Sequence, residues 1–279
     1  MRTYSEDKIK GTLYGLAIGD AMGVTTEFLP QTSIKKKFKK RSDIIGKGRL
    51  KLPPGEVTDP TQIAFCVCEA LIKTSPYRGK SNYPDRFLTQ CCQSLVDWQA
   101  TSPVDMEECC KNVINNCKGQ IFQKWMMFSF NPETTGNSNL FRCIPMVLTR
   151  HRADIMVEQS RLTHNNSLCD REVRRFIQLL KSCLRNEEIT TQVFSQLPPR
   201  HRHITYTIDS ALYHMETTAT FESAVMESIY HGGDTDAIAA LTGALAGAMH
   251  GFQSIPQRWI DQLCPEVVNK IEHYCDFMK

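Results

Sequence analysis

At 279 residues and 31.8 kDa the chain is long enough to bury a large core, and it falls between one big domain and two ordinary ones. A formal charge of +3 gives little attraction for nucleic acid or an anionic membrane, so any such partner would need a local patch. No apolar run approaches the roughly 18 to 20 residues that cross a bilayer, and the amino terminus lacks a secretory pattern. The twelve cysteines are spread through the chain, with vicinal pairs at Cys91-Cys92 and Cys109-Cys110. Cys66-Val67-Cys68 is not a C-x-x-C unit and no pair of such units exists, so spacing predicts reduced, mostly buried thiols in a cytoplasmic compartment and no structural zinc site.

In chain order, Gly11, Gly15, Gly19 and Gly23 fall on one stripe of a helix that contains Asp20 and is followed by Glu27. No strand precedes this glycine-rich stretch, which argues against a dinucleotide-binding loop. Asp20 reads as a structural partner of its own helix. The basic run Lys35-Lys36-Lys37-Phe38-Lys39-Lys40-Arg41 reads as a solvated surface, with a docking patch or a nuclear-import signal as alternatives. Next comes Glu56-Val57-Thr58-Asp59-Pro60-Thr61, just before a helical apolar pattern over residues 63–72. Thr58 or Asp59 suits the N-cap and Pro60 the first helical position.

Further helical patterns run over residues 87–98, 173–184, 221–229 and 238–249. Breakers at Pro53-Pro54-Gly55, Ser102-Pro103, Thr135-Gly136-Asn137, Pro198-Pro199 and Gly232-Gly233 separate the patterns. Strand signals are sparse, so the chain is predicted to be a single all-α domain over residues 1–279 with functional loops between helices.

The last pattern opens with His231-Gly232-Gly233-Asp234-Thr235-Asp236-Ala237, and small residues recur at Gly243, Ala244, Gly247, Ala248 and Gly251. Small residues at this spacing permit close approach by a neighbouring helix, which predicts a buried central helix pinned at its acidic end. One carboxylate at a helix start is ordinary, but Asp234 and Asp236 repel each other, and a bound cation would offset that repulsion. Gly232 and Gly233 allow the backbone to turn sharply and approach a ligand. If Glu27, Thr58, Asp59, Asp234 and Asp236 converge, every ligand is oxygen, which favours Mg²⁺ or Mn²⁺, one ion or two.

These segments, in this order, resemble the ADP-ribosylglycohydrolase family from Gly11 to about Gly251. The family's opening glycine-rich motif followed by Glu appears at residues 11–27, its T-D-D-T as Thr58-Asp59-Pro60-Thr61, and its G-G-D-T-D-T as Gly232-Gly233-Asp234-Thr235-Asp236-Ala237. The stretch from Gly136, Asn137 and Ser138 to Arg142 is similar to a phosphate-contacting loop, and Thr163-His164 to a pair beside the ligand.

The resemblance implies an all-α hydrolase that removes ADP-ribose from a modified protein side chain, arginine-linked favoured over serine-linked. Metal would be held by Glu27, Thr58, Asp59, Asp234 and Asp236, and ADP-ribose would lie against Gly136, Asn137, Ser138, His164, Gly232 and Gly233. Asp105, Glu27 and Asp59 would serve catalysis. Asp105 stands where bacterial members carry a catalytic carboxylate; its alternative role is an N-cap for a helix beginning at Met106. Pro60 and Ala237 depart from the family pattern by removing a carboxylate and a hydroxyl at the metal centre. A non-catalytic ADP-ribose-binding or structural relative is therefore the second reading, and a metal-dependent phosphatase or nucleotide hydrolase the third. The expected partner is an ADP-ribosylated protein, with no nucleic acid and no membrane span, and the chain is expected to be a monomer. Export into another cell is left open.

Overall fold

The computed structural model describes residues 4–38, 42–189 and 202–279. Fourteen α-helices make up the fold among these residues, and the only β pairing consists of isolated bridges. In chain order they are α1 (Glu6–Gly23), α2 (Gln31–Lys37), α3 (Asp59–Thr74), α4 (Tyr83–Ala100), α5 (Glu108–Cys117), α6 (Phe122–Phe128) and α7 (Ser138–Leu148), followed by α8 (Ala153–Ser160), α9 (Ser167–Arg185), α10 (Ile204–Thr217), α11 (Phe221–Ile229), α12 (Thr235–His250), α13 (Gln257–Asp261) and α14 (Pro265–Met278). Each of the five apolar periodicities falls on a helix, and each described breaker lies between helices. Pro198-Pro199 and residues 39–41 of the basic run lie outside the described residues, while Lys35, Lys36 and Lys37 form the last turn of α2.

The small-residue stripes explain the centre of the fold. Every residue of α12 from Thr235 to Ala248 is buried, and this helix touches α1, α3, α9, α10 and α11. Helix α1 packs against it antiparallel: a Cβ added to Gly15 would lie 2.1 Å from the carbonyl oxygen of Gly243, and one added to Gly247 would lie 1.8 Å from that of Gly11. Backbones this close exclude even a methyl group. The antiparallel pairing places the end of α1 beside the start of α12. There the Thr235 hydroxyl donates to the carbonyl of Gly23 (2.8 Å), and Phe28 N donates to that of Gly233 (2.7 Å). Gly232 and Gly233 adopt positive φ of 86° and 77°, which glycine reaches without a steric penalty.

Two local expectations change. Residues 138–142 open helix α7 and are not loop; Leu140, Ile144, Val147 and Leu148 are its buried apolar positions, and the preceding glycine and asparagine mark the helix start. Asp20 stabilises α3 more than its own helix. Its buried carboxylate accepts from Thr58 N, the Thr58 hydroxyl (2.6 Å) and Thr61 N (3.1 Å), so it caps α3 from a different helix. Thr58 occupies the N-cap position without making a capping bond of its own, and Pro60 lies in the first turn.

Candidate active site

The turn after α1 and the first turn of α12 carry Glu27 and Asp236 to one point, and the loop before α5 brings Asp105 to the same place. One carboxylate oxygen from each lies within 4.8 Å of the others. Thr58 joins them, its hydroxyl 3.3 Å from Asp236 Oδ2. Asp234, the N-cap of α12, is buried and accepts a 2.7 Å hydrogen bond at Oδ2 from the side-chain amide of Asn137. Asp59 is buried in the first turn of α3.

Gathering so many buried carboxylates favours their protonated forms. Burial first, and the nearby charge of Asp236 second, push Asp20 up to about 7 and raise Glu27, Asp59 and Asp234 well above the usual carboxylate range. Burial also raises Asp236, against the pull of Arg202. Asp236 Oδ1 is buried without a hydrogen-bond partner, which costs on the order of 1–3 kcal/mol unless something else satisfies it. An orphaned anionic oxygen among repelling carboxylates is a donor set that fits a hard divalent cation. Glu27, Asp105 and Asp236 are the carboxylates brought within reach of one ion, with the Thr58 hydroxyl beside Asp236.

Two arginines also reach the cluster. Arg49 Nη2 donates to Glu27 Oε1 (3.0 Å) and to Asp105 Oδ2 (3.0 Å). Arg202 Nη2 donates to Asp105 Oδ2 (2.7 Å) and lies 3.8 Å from Glu27 Oε1, while its Nε lies 3.9 Å from Asp234 Oδ1. Neither arginine carries a spacing signal, because each is far in sequence from its partners. Asp105 does not cap a helix, since α5 begins at Glu108; it is the carboxylate shared by the two arginines.

The residues expected beside ADP-ribose divide. Asn137 borders the cluster, spending its amide on Asp234 and on Thr207 (2.9 Å), while Gly136 packs against Glu107 and His164. Ser138 turns its hydroxyl to Cys110 (3.1 Å). Arg142, expected to add charge at a diphosphate, is fully buried and donates instead to the Thr163 hydroxyl (2.6 Å) and the Ser160 carbonyl (3.2 Å). His164 is also buried, with Nε2 3.2 Å from Glu107 Oε2. Glu107 was not anticipated as part of the site. Burial pushes its carboxyl up, but His164 more than compensates and holds it down at about 2.

The family model described as ADP-ribosylglycohydrolase matches residues 1–278. The chain belongs to the ADP-ribosylglycohydrolase family. It is 27% identical over 290 residues to the ADP-ribosyl-[dinitrogen reductase] glycohydrolase of Rhodospirillum rubrum, covering 97% of this chain and 95% of that protein. It is 29% identical over 293 residues to the ADP-ribosylarginine hydrolase Tri1 of Serratia proteamaculans (strain 568), covering 93% of this chain and 76% of the relative. A solved ADP-ribosylglycohydrolase-related protein complex superposes with a TM-score of 0.77 at 21% identity, over 98% of this chain and 99% of the other, which supports the all-α fold. The family match thus runs beyond the stretch from Gly11 to about Gly251 that carries the resembling motifs.

Proposed function

We propose that this family member is a divalent-metal-dependent hydrolase, one functional domain, that releases ADP-ribose from a modified protein side chain, with arginine the favoured acceptor. The observation that carries this reading is Asp236 Oδ1, buried and unpartnered beside Glu27 and Asp105. Glu27, Thr58, Asp59, Asp234 and Asp236 would hold Mg²⁺ or Mn²⁺, which when bound supplies electrophilic polarisation of ribose hydroxyls and of water. Asp105 carries the proton at the glycosidic bond, held in position by its hydrogen bonds from Arg49 and Arg202, with Glu27 and Asp59 orienting around it. Asn137, Gly232 and Gly233 would border the ADP-ribose, with Gly136, Ser138 and His164 backing Asn137 from the side of Glu107 and Cys110. The names of the Rhodospirillum and Serratia relatives support protein-linked ADP-ribose as substrate and arginine as acceptor. The twelve free thiols agree with a reducing compartment, and a monomer suffices because the cluster is built from one chain.

A second reading, an ADP-ribose-binding relative without turnover, is favoured by one arrangement. Arg49 and Arg202 already neutralise part of the cluster, while Pro60 and Ala237 contribute no oxygen ligand. ADP-ribose release from arginine- and serine-modified proteins, measured with chelator and with added Mg²⁺ or Mn²⁺, separates the two. Metal-dependent release, faster from arginine, is expected. ADP-ribose binding with no release under any metal would establish the second reading.

A further inference from the structure

We propose that Glu107, Cys109, Cys110 and His164 form a second metal site, soft in character and suited to Zn²⁺, separate from the carboxylate cluster. Spacing alone gave no such site, because two cysteines are adjacent and the histidine lies 54 positions beyond Cys110. Folding supplies the convergence: one sulfur from each cysteine, one ring nitrogen and one carboxylate oxygen all lie within 4.8 Å of one another. Two thiols, an imidazole and a carboxylate are donors that zinc takes in tetrahedral array. Such an array sets neighbouring donor atoms about 3.3 to 3.8 Å apart, from zinc bond lengths of about 2.0 to 2.3 Å. Here Cys109 Sγ is 3.1 Å from His164 Nε2, and Nε2 is 3.2 Å from Glu107 Oε2. Opening these contacts by a few tenths of an ångström would seat the ion.

The surroundings hold the donors in place. Glu107 is the N-cap of α5 and both cysteines lie in its first turn, while His164 is anchored by its backbone N–H to the Ser160 carbonyl (3.1 Å). The other ring nitrogen of His164, Nδ1, is 2.8 Å from the Thr163 hydroxyl, which also accepts from buried Arg142. Thr163 can accept from both, so an ion that displaces the Nε2 proton now facing Glu107 would find the Nε2 lone pair directed at it; ligating histidines are commonly oriented through the second nitrogen in this way. Cys110 Sγ meets the Ser138 hydroxyl (3.1 Å) and an Arg142 N–H (3.9 Å), donors that suit a thiolate. Glu107 Oε2 is buried and faces His164 Nε2 at 3.2 Å without an aligned hydrogen bond, a pairing that an ion between the two would replace. Gly136 walls the site, since a Cβ at that position would lie 1.6 Å from Glu107 Oε1 and 2.6 Å from His164 Nε2.

The site meets the carboxylate cluster through the start of α7, where Asn137 reaches Asp234 and Ser138 reaches Cys110. A zinc ion would thus fix the position of residues 136–138 from the side opposite the carboxylates.

The full chain, stripped of metal under reducing conditions and titrated with Co²⁺, tests the site. One equivalent should develop thiolate-to-cobalt charge-transfer absorption, and Zn²⁺ should abolish it by displacement. The band should persist in Cys91→Ser/Cys92→Ser and in Asp234→Asn/Asp236→Asn. It should vanish in Cys109→Ser/Cys110→Ser, and Cys109→Ser alone should weaken Co²⁺ at least tenfold. X-ray absorption of the Zn²⁺-loaded wild type, which depends on no variant, should show two sulfur neighbours with nitrogen and oxygen. A shell of nitrogen and oxygen alone, or a thiolate band that survives loss of both Cys109 and Cys110, would overturn the proposal.

Discussion

Asp236 and Arg202 set the behaviour of the acidic cluster residue by residue. Asp236 raises the proton affinity of Asp20, Glu27, Asp59 and Asp234, so it is the charge that a cation would relieve most. Replacing it with Asn should abolish metal-dependent turnover and remove metal-induced thermal stabilisation, which at one hundred times Kd amounts to about 2.7 kcal/mol. A melting shift on adding Mg²⁺ that equals wild type would show that Asp236 is not a ligand. Arg202 acts in the opposite sense, because its guanidinium already balances Asp105 and approaches Glu27 and Asp234. Arg202→Gln should therefore tighten Mn²⁺ binding at least tenfold, about 1.4 kcal/mol, by calorimetric titration. Unchanged affinity would mean that the guanidinium and the ion do not compete. Pro60→Asp with Ala237→Thr should also tighten binding, since water in the shell holds the ion less firmly than a preorganised carboxylate. No gain in the double variant would mean that positions 60 and 237 do not face the ion.

Among the elements, the α1 and α12 pair is the part most exposed to a single added methyl group. Gly15→Ala should cost about 3 kcal/mol or more, because the new Cβ meets backbone 2.1 Å away, a contact that only helix separation relieves. Gly79→Ala, at positive φ with nothing near its Cβ, should cost only about 1 kcal/mol. Equal denaturation midpoints for the two would contradict the packing argument. This pair was legible in the sequence because close helix approach demands small residues at a fixed period, and the acidic turns at its ends follow from that pairing. Arg49, Arg202 and Glu107 were not legible, since a charged residue in an irregular segment carries no periodicity and finds its partner only when the chain closes. Asn137 was read as a phosphate donor because side-chain chemistry alone does not say which acceptor it meets. Helix α7 was readable from Leu140, Ile144 and Leu148, but glycine and asparagine just before it suggested loop.

For the whole molecule, the buried carboxylates make stability depend on pH and on metal together. A carboxyl in the unfolded chain titrates near 4, whereas Asp20 in the fold titrates at about 7, with Glu27, Asp59 and Asp234 also raised, by burial first and Asp236 next. Between about pH 4 and pH 7 the folded chain holds protons that the unfolded chain has released. Stability from this source is fully present below about pH 4 and is lost as pH rises through about 7. In chelator the melting temperature should accordingly fall across this window, and Mg²⁺ should recover more of it at the upper end. A rise in chelator would show that these groups are not the dominant titrating set.

The cluster's occupant is the centre of the account, and anomalous diffraction from Mn²⁺-soaked crystals observes it directly. The expected result is a Mn²⁺ peak in contact with Asp236 Oδ1 and flanked by Glu27 and Asp234, with the Arg202 guanidinium displaced. Full-occupancy crystals with no peak among these carboxylates, and Arg202 still bridging Asp105 and Asp234, would contradict it.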